Sequence, residues 1–258
     1  IGWSLTLHGI SETDYPAGLL LPEKVRHAEF VCCVSHFGKA QAMRITPPTQ
    51  WDKFTIARCG IDLAALPAKP DKASVSGGTI VCVGRLSPEK AQAGLLQVFG
   101  SLAARHPDWR LLLVGDGPDR EALAATCTSL GLADRVTFAG RLGEQDTLAA
   151  IAGADMLVVP SFMEGLPVVL MEAMALGVPV VSSCVAGVPE LVTDGVSGLL
   201  FPASDFCALE AAIERLITNP ATGEAMTKAA RQRILDEFTI EKAVRPLVRR
   251  FIGDTEAA

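Results

Sequence analysis

From residue 79 onward the apolar positions fall into short continuous runs separated by stretches with helical spacing. The runs at 80–83, 110–114, 136–139, 155–159 and 178–182 are short and rich in β-branched residues, and they predict buried parallel strands. Each is followed by a helical pattern or a tight turn. Ser87-Pro88 predicts the N-cap and first residue of a helix through Arg105, and Gly131 stops a helix over 123–130. Gly165 allows a tight turn and Pro167 has the fixed φ of a first helical position. The helix over 168–176 then ends at Gly177. Strand and helix alternating in this way predict a parallel sheet covered on both faces, with ligands beyond the carboxyl ends of the strands.

Before residue 79 the texture is similar but shorter. Strands are predicted at 4–8, 30–34 and 54–57, and helices at 23–28 and 36–45. Residues 66–78 hold Pro67, Pro70, Ser74, Ser76, Gly77 and Gly78 without an apolar period, which predicts a linker. Helical patterns continue beyond Asp205, the last over 241–252. The division is therefore a first α/β region at 1–68, a linker at 69–78, a second α/β region at 79–236 and a helical segment at 237–258.

Composition narrows the function. At 258 residues the chain is near the size where one core gives way to two, and 49% hydrophobic residues make it globular. Twenty-three basic residues against twenty-nine acidic ones, a net charge of −6, argue against nucleic-acid binding. Seven cysteines without a Cys-x-x-Cys spacing, several inside apolar runs (Cys32, Cys33, Cys82), predict reduced thiols of a cytosolic protein and no zinc site. No apolar run has the length of a membrane span, and no export signal opens the chain. A chain that begins at Ile1, directly before a strand, is expected to lack its natural start.

The chemistry-bearing residues cluster at the predicted strand ends. Arg85 follows the strand at 80–83, Gly115-Asp116-Gly117-Pro118 the next, Gly140-Arg141 the third, Ser161 to Glu164 the fourth, and Gly187-Val188-Pro189-Glu190 the fifth. Arg85 and Lys90 could be solvated loop charges. A lysine in the first turn of the predicted helix is disfavoured by the dipole, however, unless an anion such as a diphosphate compensates it. The helix start after Gly165 is itself a natural anion site. Glu164 and Glu172 beside it make sense if the ligand also carries hydroxyls, because a carboxylate accepts hydrogen bonds from a sugar diol. Glu172 lies among apolar neighbours and needs a partner. His8 ends a strand, a place that suits either a satisfied core histidine, the commoner fate, or one that faces a ligand. The third glycine of a dinucleotide fingerprint is replaced by Arg120, and no P-loop occurs. A glycosidase pair fits poorly, since Glu164 and Glu172 are separated by roughly 10 Å of backbone where retaining hydrolases need about 5 Å and inverting ones about 6.5–9.5 Å. Leaning side chains keep that reading open.

Taken together, Gly84-Arg85-Leu86-Ser87-Pro88-Glu89-Lys90, Leu113-Val114-Gly115-Asp116-Gly117-Pro118, Pro160-Ser161 with Glu164-Gly165-Leu166-Pro167, Glu172-Ala173-Met174-Ala175, Gly177-Val178-Pro179 and Gly187-Val188-Pro189-Glu190-Leu191-Val192 resemble the retaining glycosyltransferases of family GT4, the group 1 glycosyl transferases. The resemblance is strongest over residues 80–201. Thr6-Leu7-His8-Gly9, Val34-Ser35 and Gly60-Ile61-Asp62 look like the second half of that family's N-terminal domain. It implies the GT-B fold, two Rossmann-like doubly wound parallel-sheet domains. The N-terminal one would be incomplete, and residues 237–258 would pack back on it.

Residue by residue, the resemblance implies that Arg85 and Lys90 hold the diphosphate of a nucleotide-sugar and that Glu172 accepts from the ribose hydroxyls. Glu164 would lie beside the transferred sugar, and Gly165, Leu166 and Pro167 would border the donor, as would Gly117. The backbone near Arg141 would flank the base, and His8 would reach the donor sugar from the other domain. Ala91 stands where the family commonly has glycine, and Cys59 replaces a frequent asparagine. The implied acceptor is a glycan, a lipid-linked sugar or a small molecule, the implied setting exopolysaccharide synthesis in the cytoplasm, with room for peripheral association at the inner face of the membrane. No metal or other cofactor is expected, and the isolated chain is expected to bind donor without transferring it. A nucleotide-sugar epimerase and a non-catalytic nucleotide-sugar-binding module stay open as alternatives.

Overall fold

The computed structural model describes residues 2–9, 19–70 and 77–253. Two parallel sheets organise it. The first has β1 (Leu5–Leu7), β2 (Val31–Cys33) and β3 (Phe54–Ile56) side by side, with α1 (Leu21–His27) and α2 (His36–Arg44) following β1 and β2. The second contains β4 (Thr79–Val83), β5 (Arg110–Val114), β6 (Val136–Gly140), β7 (Met156–Val159), β8 (Val180–Ser183) and β9 (Leu199–Phe201). Their order is β6-β5-β4-β7-β8-β9 and every pair is parallel. Each sheet with its helices is a lobe.

The helices of the second lobe are α3 (Gln92–Arg105), α4 (Arg120–Ser129), α5 (Glu144–Gly153), α6 (Val168–Ala175), α7 (Val188–Leu191), α8 (Phe206–Thr218) and α9 (Pro220–Glu237). They cover both faces of the sheet. Along β4, Ile80 and Cys82 join one core with Leu95, Phe99 and Ile213 from α3 and α8, whereas Val81 joins another with Leu170, Met174 and Ile234 from α6 and α9. Successive strand residues point to opposite faces. A strand buried on both sides therefore reads as an unbroken apolar run, which is the pattern in the sequence.

After α9 the chain returns to the first sheet. Ile61 N donates to Phe238 O at 2.8 Å and Ile240 N to Ile61 O at 3.2 Å. Two short helices follow, α10 (Ile240–Ala243) and α11 (Arg245–Ile252). Leu247 packs against Phe30, Cys32 and Ala57, the Phe251 ring meets Phe30 edge-on at 5.1 Å, and Arg250 Nε donates to Thr55 Oγ1 at 2.8 Å.

Several expectations need correction. The helix expected from Ser87 through Arg105 is interrupted: Pro88–Lys90 is one 3-10 turn, Ala91 adopts the left-handed conformation (φ 53°, ψ 28°), and α3 begins at Gln92. Ser87 caps nothing, because its hydroxyl donates to Glu89 Oε1 at 2.6 Å. Lys90 thus precedes the α-helix, and the dipole argument for a compensating anion falls away. The single helix over 241–252 is two, since Pro246 has no N–H to continue the ladder. Pro167 is the N-cap of α6, with Val168 first in the helix. Strand β9 was not foreseen; its three residues lie between Gly198 and Pro202, too short to stand out. Residues 71–76 of the expected linker and 254–258 of the terminal segment lie outside the described residues.

Candidate functional site

The strand order of the second sheet reverses between β4 and β7, and such a reversal opens a crevice beyond the carboxyl ends of the strands. The loops leaving β4 and β7 meet there. Phe162 N donates to Glu89 O at 2.8 Å, which ties loop to loop. Lys90 Nζ donates to Glu164 Oε1 at 2.7 Å across the reversal, and Ser161 Oγ donates to the same oxygen at 2.6 Å. Ser161 is buried, and its carbonyl accepts from Ser183 Oγ on β8 at 2.5 Å, so Glu164 is oriented from below by a fixed serine. Both bonds fall on Oε1. Among the described residues none is made to Oε2, which leaves that oxygen for a ligand. The Cys82 thiol beneath is pushed up to about 12 by burial and stays neutral.

Beside this pair the loops after β4, β5 and β6 are stitched backbone to backbone. Gly84 N donates to Val114 O, Leu86 N to Asp116 O, and Gly115 N to Gly140 O, at 2.9, 3.1 and 2.8 Å. A Cβ on Gly115, whose φ is +135°, would sit 1.9 Å from Gly84 O, and one on Gly117 would sit 2.2 Å from Leu86 O. These glycines are required by close approach of loops. The Gly117 N–H is already taken by Asp116 Oδ1 at 2.9 Å. Arg85, Asp116, Gly117 and Arg141 line an open cavity of about 450 Å³, so two guanidinium-bearing residues and one carboxylate converge on it. Asp116 is a lining residue that sequence reasoning quoted without assigning it a role.

Glu172 lies on α6 between buried Met171 and Ala173. Burial raises its pKa, and the nearby Glu144 carboxylate at the start of α5 raises it further. Among the described residues no donor bonds its carboxylate, so it is an acceptor without a partner. Lys90 and Ser161 engage Glu164, and the carboxylate that acts on Glu172 is Glu144. α6 begins without a side-chain cap. The side chains of Leu166 and Pro167 are buried, so only their backbones can border a ligand.

The first lobe closes the crevice from the other side. A Cβ on Gly165 would lie 2.5 Å from His8 O and 3.2 Å from Gly9 Cα. Gly165 is needed for this approach between lobes, its φ being outside the left-handed region. His8 Nδ1 stands 3.8 Å from Cys59 Sγ, whose pKa is raised by burial. The structure thus brings together Lys90 with Glu164, Arg85 with Gly117 and Arg141, and His8 with Gly165.

Likeness to known proteins gives the family and the fold. Residues 69–233 match the model of the family described as glycosyl transferases group 1. The chain is 36% identical over 166 residues to the GDP-mannose-dependent alpha-(1-6)-phosphatidylinositol monomannoside mannosyltransferase of Mycolicibacterium smegmatis, which covers 62% of this chain and 44% of that protein. It is 30% identical over 186 residues to the glycogen synthase of Mycobacterium tuberculosis, covering 72% of this chain and 45% of that one. Both alignments span less than half of the relative. Among solved structures, the sucrose-phosphate synthase of Thermosynechococcus elongatus superposes with a TM-score of 0.84 at 24% identity, over 97% of this chain and 67% of that one. Anabaena HepE in complex with UDP-glucose gives 0.85 at 22% identity, over 96% and 71%. With both parallel sheets reproduced in these GT-B neighbours and most of its length matched by the family model, the chain belongs to the group 1 glycosyl transferases.

Proposed function

We propose that this chain is the donor-binding part of a retaining glycosyltransferase, which moves a sugar from a nucleoside-diphosphate sugar to a glycan, lipid-linked or small-molecule acceptor in polysaccharide or glycoconjugate synthesis. The observation that carries this reading is the Lys90–Glu164 pair astride the strand reversal, beside the cavity lined by Arg85 and Arg141. The GDP-mannose of one relative's name and the UDP-glucose bound to HepE support the donor class. On this reading residues 79–236 are the donor domain and 1–68 the acceptor side, joined by the linker at 69–78, and 237–258 strap back onto the acceptor side. The contact of Phe238 with Ile61, and those of Leu247 and Arg250 with the first sheet, support that division.

In this mechanism Arg85, Lys90 and the uncapped start of α6 hold the diphosphate. Glu172 accepts from the ribose hydroxyls, and the loop at Arg141 flanks the base. Glu164 presents Oε2 to the sugar, which His8 meets from the first lobe. The bond from the anomeric carbon to the phosphate oxygen breaks with its electron pair on the leaving diphosphate, where the cations stabilise the growing charge. The acceptor oxygen bonds to the same face of that carbon, and its proton passes to the departing phosphate. No protein base and no metal ion enters this scheme. Among the described residues no helix is long and apolar enough to cross a membrane. Cytoplasmic action, with docking at the inner membrane face where the acceptor is a lipid, is part of the proposal.

Thermal-shift and calorimetric titration with UDP-, GDP- and ADP-sugars tests it. One donor class is expected to stabilise the protein, and Lys90→Ala to remove most of the effect. Failure of every nucleotide-sugar to bind would overturn the proposal.

A further inference from the structure

The segment Gly187-Val188-Pro189-Glu190 leaves the carboxyl end of β8 outside the diphosphate cavity, and its carboxylate reaches across to the first lobe. Glu190 Oε2 accepts from His36 N and Oε1 from Phe37 N, both at 2.8 Å. These are the first two residues of α2, and the next orphan N–H, that of Gly38, is taken by Ser35 Oγ at 3.0 Å. The N-terminus of α2 is therefore capped by a side chain lying 154 positions away. A carboxylate there gains two charge-assisted hydrogen bonds and the favourable end of the helix dipole. Glu190 is held in turn: Arg58 Nη2 lies 3.8 Å from Oε2, and Arg233 Nη2 donates to the Glu190 carbonyl at 2.7 Å.

The same segment touches the donor crevice. Gly187 N donates to Gly165 O at 3.0 Å, and a Cβ on Gly187 would lie 2.5 Å from that oxygen and 3.1 Å from Ser35 Cβ. Gly165 meets the His8 carbonyl on its other side. Ser35, Gly187, Gly165 and His8 form one seam between the lobes, and Glu190 is bonded across it.

We propose that Glu190 is a positioning residue. Its carboxylate fixes the closure of the first lobe against the second, and so sets where His8 stands relative to Glu164. It touches none of the residues assigned to the donor. Its effect on transfer rests on the donor reading above, whereas the clasp itself does not.

The test measures the distance between lobes. Cys184 and Cys207 are the exposed cysteines of the described residues. Cys184→Ser leaves Cys207 on α8 for a spin label, and Lys24→Cys places the second on α1. Pulsed dipolar spectroscopy of this parent should give one narrow distance. Glu190→Ala should broaden it and shift its mean, and Glu190→Gln, which keeps one acceptor oxygen, should fall between. His36→Pro is the independent control, because proline at a first helical position removes only the N–H that Oε2 receives; it should also broaden the distribution. Narrow distributions unchanged in Glu190→Ala and His36→Pro overturn the proposal, and His36→Pro with Glu190→Gln decides it if the alanine variant misfolds. Calorimetry with UDP, GDP and ADP should give variant affinities within about twofold of the parent. A loss beyond tenfold would put Glu190 in the donor site and refute the positioning role. A parent that binds none of the nucleotides refutes the donor reading and leaves the distance result standing.

Discussion

Replacing Glu164 by Gln should tighten the binding of a nucleoside diphosphate that carries no sugar. The Lys90 ammonium has two claimants on the proposed mechanism. In the free protein Glu164 Oε1 holds it at 2.7 Å, and a diphosphate must draw it away or share it. A point-charge attraction at that separation with an effective dielectric near 20 would be about 6 kcal/mol, an upper bound. The Lys90 side chain is 27% exposed against 9% for Glu164, so water screens one end of the pair. Exposed pairs contribute about 0.2–1 kcal/mol and charged hydrogen bonds about 1.5–3 kcal/mol. This pair lies between them, and removing the carboxylate charge should free about 1 kcal/mol for the phosphate. That corresponds to roughly fivefold tighter binding. Isothermal titration of the wild type, Glu164→Gln, Lys90→Met and the double variant measures it, and the gain should vanish in the Lys90→Met background. Equal or weaker binding by Glu164→Gln, or a gain that persists without Lys90, would refute the competition.

Arg85→Ala should weaken nucleoside diphosphate binding by about 1.5–3 kcal/mol, the size of a hydrogen bond to a charged group; unchanged affinity by calorimetry would remove Arg85 from the phosphate. The raised pKa of Glu172 means that folding is favoured by its protonated form, so its contribution is full below the ordinary carboxylate range and is lost as pH rises through the raised value. Glu172→Gln should therefore stabilise the free protein at neutral pH, with the gain fading in acid, while weakening nucleotide binding; denaturant titrations at several pH values check the sign. Gly165→Ala, whose new Cβ would meet His8 O, should cost about 1–3 kcal/mol by overpacking the seam, read by chemical unfolding. Transfer by the full-length enzyme should survive EDTA; loss of activity restored by Mg²⁺ or Mn²⁺ would show that two cations and a helix end do not suffice.

How far the sequence speaks depends on the range of the physics. Strands buried on both faces, such as 155–159, announce themselves as apolar runs because nothing else can occupy those positions. The chain order of the strands is visible, but the reversal between β4 and β7 is a spatial fact. Ala91 shows why local reading fails at the loop after β4: an alanine carries no sign of a left-handed conformation, so the interrupted helix could not be seen. The family's usual glycine at that place now has a conformational reason. Arg85, Lys90, Glu164 and Glu172 stand out by motif, whereas the bond from Ser161 to Glu164 depends on a backbone position that Ser183 anchors from another strand. Gly165 reads as a turn former and Gly117 as part of a glycine-bearing loop, but the structure needs both for what comes close to them.

The return of the chain to its first sheet also sets an order of events in folding. Thr55 and Arg250, which bond to each other, are 195 positions apart, and Ile61 pairs with Thr239. Apart from Val34, the buried residues of both cores of the second sheet lie between Thr55 and Arg250. A domain usually consolidates as it leaves the ribosome, earliest residues first. Here the earliest strands wait: β1 to β3 have been made long before the residues that strap them, and the distant contacts form only after the intervening sheet has shortened the path between them. The lobe synthesised first is thus the lobe completed last, and in amide exchange during refolding its strands should gain protection after those of β4, β5 and β7.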